Sequence, residues 1–92
     1  MTLLNLNLYG PHFQIKAISS LLTHKEFLIS IHDVLSDEYF DNQAHKWIIK
    51  EILRYYDRYH TTPSMDILKV EVKKIDNEVL QLSVKESLRE AY

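Results

Sequence analysis

The sequence predicts an all-α fold, a compact bundle of about five helices preceded by an extended N-terminal strap, and three observations carry that expectation. Apolar residues recur at spacings of three and four over most of the chain, and Pro or polar capping residues separate the apolar stretches. The chain holds a single Gly, too few for a sheet protein that depends on tight hairpin turns. With 92 residues, the chain forms one domain, burying enough surface for one modest core: about 5,600 Å² stays accessible against about 16,000 Å² unfolded. Its hydrophobic share of 46% is that of a folded globular chain rather than a disordered tail.

Along the chain, Leu4, Leu6 and Leu8 alternate with Asn5 and Asn7 between Thr2 and Tyr9, a period of two that suits a strap packed on one side. Gly10-Pro11 ends it. From His12, residues Phe13, Ile15, Ala17, Ile18, Leu21 and Leu22 predict helix 1, with Pro11 at its first position. Thr23-x-x-Glu26 has the form of a capping box, flanked by Leu22 and Phe27 as a hydrophobic staple. It opens helix 2, whose stripe is Phe27, Leu28, Ile31, Val34 and Leu35.

Ser36-Asp37-Glu38 then makes a brief turn that projects Tyr39 and Phe40, and Asp41 or Asn42 caps helix 3. This is the longest helix, ending near Tyr59, because Ala44, Ile48, Ile52, Tyr55 and Tyr59 fall within an arc of about 80°. Ile49 and Tyr56 widen the arc on one side and Trp47 on the other. Pro63 starts the next segment with Thr62 as its cap. Over residues 65–75 two periods fit: Leu68, Val70 and Val72 alternate as in a strand, while Met65, Leu68, Val72 and Ile75 suit a helix. A lone strand lacks a pairing partner, which favours the helix. After Asp76-Asn77, helix 5 carries Leu80, Val84, Leu88 and Ala91 on one narrow seam and reaches Tyr92 without a stop signal. The chain therefore reads as one helical unit, a globular head over about 10–75 and the start of a truncated helical hairpin over about 77–92.

Composition and motifs exclude several functions. The formal charge of −2, from 11 basic and 13 acidic side chains, supplies no global attraction to nucleic acid or anionic lipid. The lack of Cys removes disulfides, thiolate metal sites and a Cys nucleophile. Met1 to Leu8 has neither the basic start nor the small-residue cleavage site of a signal peptide, and no apolar run approaches the ~18 residues of a spanning helix, so a cytoplasmic protein without membrane contact is expected. No Gly-rich phosphate loop, G-x-S-x-G or H-E-x-x-H occurs, and the expectation is a non-catalytic chain with no cofactor. His12, His24, His32, His45 and His60 are never paired at metal-ligand spacing. The carboxylates Asp37-Glu38, Asp57, Asp66 and Asp76-Glu78 fall at caps and turns, and Ser19-Ser20 sit inside helix 1. His45 alone falls in the apolar arc of helix 3, where a partly buried ring hydrogen-bonded to backbone near Asp41 and Asn42 is expected.

Two surfaces remain. Lys46, Lys50, Arg54 and Arg58 form an i, i+4 ladder of positive charge along helix 3, flanked by Glu51 and Asp57: a solvated charged face, or a contact for phosphates or an acidic partner. Tyr55, Tyr56 and Tyr59 read as core and core edge. The seam Leu80, Val84, Leu88, Ala91 suits packing on helices 1 and 3 or on a partner helix.

The stretch from Phe13 to Asp66 resembles the amino-terminal domain of DnaB-type replicative helicases, especially the primase-helicase subunits of large tailed phages. Ala17-Ile18-Ser19-Ser20-Leu21-Leu22 is similar to A-V-L-G-S-L-L, and Leu35-Ser36-Asp37-Glu38-Tyr39-Phe40 to L-x-P-E-D-F. Asp41-Asn42-Gln43-Ala44-His45-Lys46-Trp47-Ile48 resembles Y-D-P-A-H-R-x-I-F, and Thr62-Pro63-Ser64-Met65-Asp66 the P-x-D segment that opens the next helix. Ser19, Asp37 and Asn42-Gln43 depart from the favoured Gly, Pro and Asp-Pro. The resemblance implies a helical head followed by a two-helix hairpin through which sister subunits pair around a hexameric ring, and a collar that docks primase or a helicase loader. It assigns ATP, Mg and translocating DNA to a separate carboxy-terminal domain, making this chain a helicase fragment that assembles during DNA replication. The alternatives are a stand-alone nucleic-acid binder using the Lys46, Lys50, Arg54, Arg58 face, and a helical adaptor that regulates a helicase.

Overall fold

A computed structural model describes residues 10–40 and 42–91, with side chains from residue 13 onward. The N-terminal strap, Asp41 and Tyr92 lie outside the described residues. The chain is all-helical: α1 (Gly10–Thr23), α2 (Lys25–Ile31), a 3-10 turn (Asp37–Tyr39), α3 (Gln43–Tyr59), α4 (Met65–Val72) and α5 (Glu78–Ala91). No strand occurs among the described residues, and residues 65–72 form the helix that Met65, Leu68 and Val72 predict. None of the helices is long and apolar enough to cross a membrane, among the described residues.

The core forms where α1, α3 and α5 meet, each packing against the other two, while α2 lies on α1, the 3-10 turn on α3, and α4 on α5. From α1 come Ile18, Leu21 and Leu22, from α3 Ala44, Ile48, Ile49 and Ile52, and from α5 Val84, Leu88 and Ala91. Leu28, Leu35, Phe40, Leu68 and Val72 close the same cluster from the smaller elements. The core face of α1 is centred on Gln14, Ile18 and Leu21, which leaves Phe13 exposed.

The predicted seam of α5 is thereby filled within the chain. Val84, Leu88 and Ala91 are buried and Leu80 is partly buried against the core. Packing on α1 and α3 is the outcome for this seam.

Local capping sets the helix boundaries and corrects three sequence expectations. The Thr23–Glu26 capping box does not form: α1 continues through Thr23, whose Oγ1 donates to the Ser19 carbonyl at 2.7 Å, and His24 precedes α2 without a side-chain cap. A Thr hydroxyl in the last turn of a helix satisfies itself on the carbonyl four residues back and is lost to the following helix. Helix α2 ends at Ile31, where the chain tightens through Val34 N–H donating to Ile31 O at 3.0 Å. That turn leaves Val34 55% exposed and keeps Leu35 on the core. Ser64 rather than Thr62 caps α4, its Oγ accepting from Ile67 N–H at 3.2 Å, with Pro63 buried just outside the helix. Ser is at least as good a cap as Thr, and Asp66 in the first turn adds the favourable charge of a carboxylate at a helix start.

Helix α3 is defined at both ends. Asn42 Oδ1 accepts from Ala44 N–H at 2.8 Å and His45 N–H at 3.3 Å. At the other end His60 adopts φ 57°, and its N–H donates to Tyr56 O at 2.7 Å. This left-handed conformation is one that His tolerates better than most non-Gly residues, and it stops the helix without a glycine. For α5, Asn77 Oδ1 accepts from Leu80 N–H at 2.9 Å.

Replacing Asn42 with Ala should lower stability by about 1 kcal/mol, read as a shift in the urea midpoint, whereas Thr23→Ala should change it much less because Thr23 caps no helix. Val84→Ala should cost about 2 kcal/mol in the purified chain whatever the protein concentration. A cost that appears only at high concentration would instead place Val84 in an intermolecular contact.

Candidate functional site

The basic ladder of α3 does not act as a continuous positive stripe. Lys50 Nζ lies 3.8 Å from Asp37 Oδ2 on the neighbouring 3-10 turn. Arg54 pairs with Glu51 one turn back and reaches Glu71 of α4 at 3.5 Å. The hydrogen bond to Glu51 and the charge of that carboxylate raise the Arg54 pKa above its ordinary value, with a smaller contribution from Glu71. Glu71 is shared, since Lys74 Nζ lies 2.8 Å from its other oxygen. Arg58 stacks over the Tyr59 ring, 5.6 Å from its centroid, and Lys46 is half-buried. Glu51, Asp37 and Glu71 thus interleave with the cations. Of these only Glu51 is a near neighbour in sequence; Asp37 and Glu71 arrive through the fold.

The tyrosines of α3 divide. Tyr56 packs on the core and its ring lies 4.6 Å from that of His32 and 5.9 Å from that of His60. Tyr55 is half-buried and stacks on Tyr59 at 4.5 Å, but Tyr59 is 54% exposed rather than core.

His45 is 2% exposed, deeper than its sequence position implied. Its Nδ1 lies 2.7 Å from Oε1 of Gln14 on α1, which is itself buried. The structure shows a side-chain partner thirty-one residues away; the expected contact near Asp41 falls at a residue outside the described ones. The bond ties α1 to α3 through two buried polar groups. Phe40 sets its ring edge-on to the imidazole at 6.4 Å and 83°. Among the described residues no group of His, Asp and Glu converges as a metal site.

A second basic surface, unremarked in the sequence, lies between α4 and α5. Lys69 of α4 and Lys73 just past its end line a cleft of about 600 Å³ together with Lys85 and Arg89 of α5. Met65, Val72 and Leu88 form its floor. Among the described residues no carboxylate lines the cleft, and none of these four cations has an ion-pair partner. The signal was present as two i, i+4 basic pairs, Lys69/Lys73 and Lys85/Arg89, but nothing in the sequence brings the two pairs onto facing helices. The chemistry available here is recognition: four ammonium and guanidinium donors around an apolar strip.

No known protein family, curated protein or solved structure matches the chain.

Two outcomes are expected from this geometry. Arg54→Ala should lower stability by no more than about 1 kcal/mol, an effect that shrinks in high salt, because its partners are exposed ion pairs. Gln14→Leu should cost about 1–3 kcal/mol by thermal or urea denaturation, since it removes the buried acceptor facing His45 Nδ1.

Proposed function

We propose that the chain is a non-catalytic assembly and docking domain, the amino-terminal domain of a DnaB-type replicative helicase. The observation that carries this reading is the order and spacing of the resembling segments between Phe13 and Asp66, and the all-helical fold they form accords with it. Ile18, Leu21 and Leu22 from the first segment, Phe40 from the second, and Ala44 and Ile48 from the third lie in one buried cluster. The fourth segment supplies Pro63, which is buried, and the Ser64 cap of α4.

On this reading the domain works by presenting rigid helical faces to sister subunits and to primase or a loader, while ATP, Mg and DNA are handled by a further domain. Pairing through Leu80, Val84, Leu88 and Ala91 is not retained, since α1 and α3 occupy that face. Sister contacts are left to surface residues. Direct nucleic-acid binding through Lys46, Lys50, Arg54 and Arg58 loses its support, because Asp37, Glu51 and Glu71 offset much of that charge.

The test is to sequence the encoding DNA past the codon for Tyr92. A frame that continues through a helical hairpin into G-x-x-x-x-G-K-[ST] is expected; a stop codon at that point would overturn the helicase reading. The purified chain should show no ATP hydrolysis above a heat-denatured control, and turnover that co-elutes with pure protein would overturn the non-catalytic assignment.

A further inference from the structure

We propose that the cleft between α4 and α5 is a docking groove for an acidic amphipathic helix of a partner protein. The inference rests on the cleft alone and stands whether or not the chain is part of a helicase.

Three features define the occupant. The first is charge: Lys69 and Lys73 form one rim and Lys85 and Arg89 the other, without ion-pair partners among the described residues. On α3, by comparison, Lys50 and Arg54 are paired with carboxylates and Arg58 lies over the Tyr59 ring. The second is the floor. Val72 and Leu88 are almost fully buried beneath the cleft, so half-buried Met65, whose flexible thioether adapts to an apolar group set against it, and the methylene stems of the cations supply the apolar surface. The third is spacing. Each rim carries its charges one helical turn apart, the interval at which carboxylates recur on one face of a helix. A helix with apolar residues along one stripe and Glu or Asp on both sides of it matches the floor and both rims together.

Nucleic acid fits less well. No aromatic residue lines the cleft to stack on a base. The chain as a whole is negative, with 13 acidic side chains, so a polyanion attracted to the cleft is repelled by the rest of the surface. A short acidic helix with an apolar face takes part of its affinity from the floor and depends less on long-range charge.

The test titrates the intact chain into a fluorescein-labelled synthetic peptide of about fifteen residues, with Leu along one helical face and Glu on the others, read by anisotropy. The same peptide with Gln for every Glu, and an oligothymidylate of equal charge, serve as comparisons. Saturable binding of the Glu peptide is expected, weakened at least about ten-fold by the Gln replacement and by added salt. The double variant Lys69→Glu, Arg89→Glu changes only exposed side chains and should likewise lose about ten-fold or more. If that variant melts early, amide chemical-shift mapping of the unmodified chain decides instead, with shifts confined to α4 and α5 expected and shifts centred on α1–α3 overturning the proposal. Absence of saturable peptide binding, an unchanged affinity in the folded variant, or oligothymidylate bound as tightly as the Glu peptide would each overturn it as well.

Discussion

The three-way packing of α1, α3 and α5 is the constraint from which the rest of the structure follows. A chain this short, without disulfides, has one core to draw on, and every large apolar face must enter it. Two helices meeting at an angle leave an open wedge, and α5 fills it with Val84, Leu88 and Ala91. Once α5 is committed there, α4 has to turn back against it, and the cleft between the two becomes a fixed feature of the surface. The Gln14–His45 bond sits inside the same junction and sets how α1 and α3 meet, since a buried polar pair is satisfied in only one relative position.

The two basic surfaces show how a fold assigns different roles to the same residue types. On α3 the cations are offset by carboxylates on the helix itself, on the 3-10 turn and on α4, which leaves a surface stitched together by exposed pairs of small energetic weight. Between α4 and α5 the cations stand around an apolar floor with no carboxylate among the lining residues. Charges held apart from their counterparts on a folded surface are a standing cost in self-repulsion, which a complementary partner removes. The helices that hold them are anchored by buried Leu68 and Val72 on one side and by Val84 and Leu88 on the other, so the rims are held in register before any partner arrives. Preorganisation of this kind reduces the ordering entropy that binding must overcome.

Several helix ends in this protein were decided by competition between equivalent groups. Thr23 and Ser64 are both hydroxyl residues near a helix start, yet one bonds backwards into α1 and the other forwards into α4. The difference is that Thr23 still lies within α1, where its hydroxyl reaches the Ser19 carbonyl, whereas Pro63 keeps the chain before Ser64 out of helical geometry and frees its hydroxyl for the helix ahead. Sequence signatures of caps name the candidates; the neighbouring helix chooses among them.

The sequence by itself determined the helical class, the five α-helices in their order, the start of α3 to within Asp41–Asn42 and its end near Tyr59, and the apolar seam of α5, because these depend on periods and caps that lie within a few residues of one another. The choice of helix over strand for residues 65–72 was half-legible, since both periods fit and only the absence of a pairing partner spoke for the helix. Tertiary structure decided what each face meets. It placed the α5 seam in the chain's own core, gave His45 a partner on α1, left Tyr59 and Val34 outside, and brought Asp37 and Glu71 onto the α3 ladder. It also assembled the candidate cleft, whose four cations are ordinary i, i+4 pairs until α4 and α5 are set side by side. The physical reason is one of range: backbone hydrogen bonds and caps are satisfied locally, whereas burial and charge compensation are sums over whatever the folded chain brings within a few ångströms.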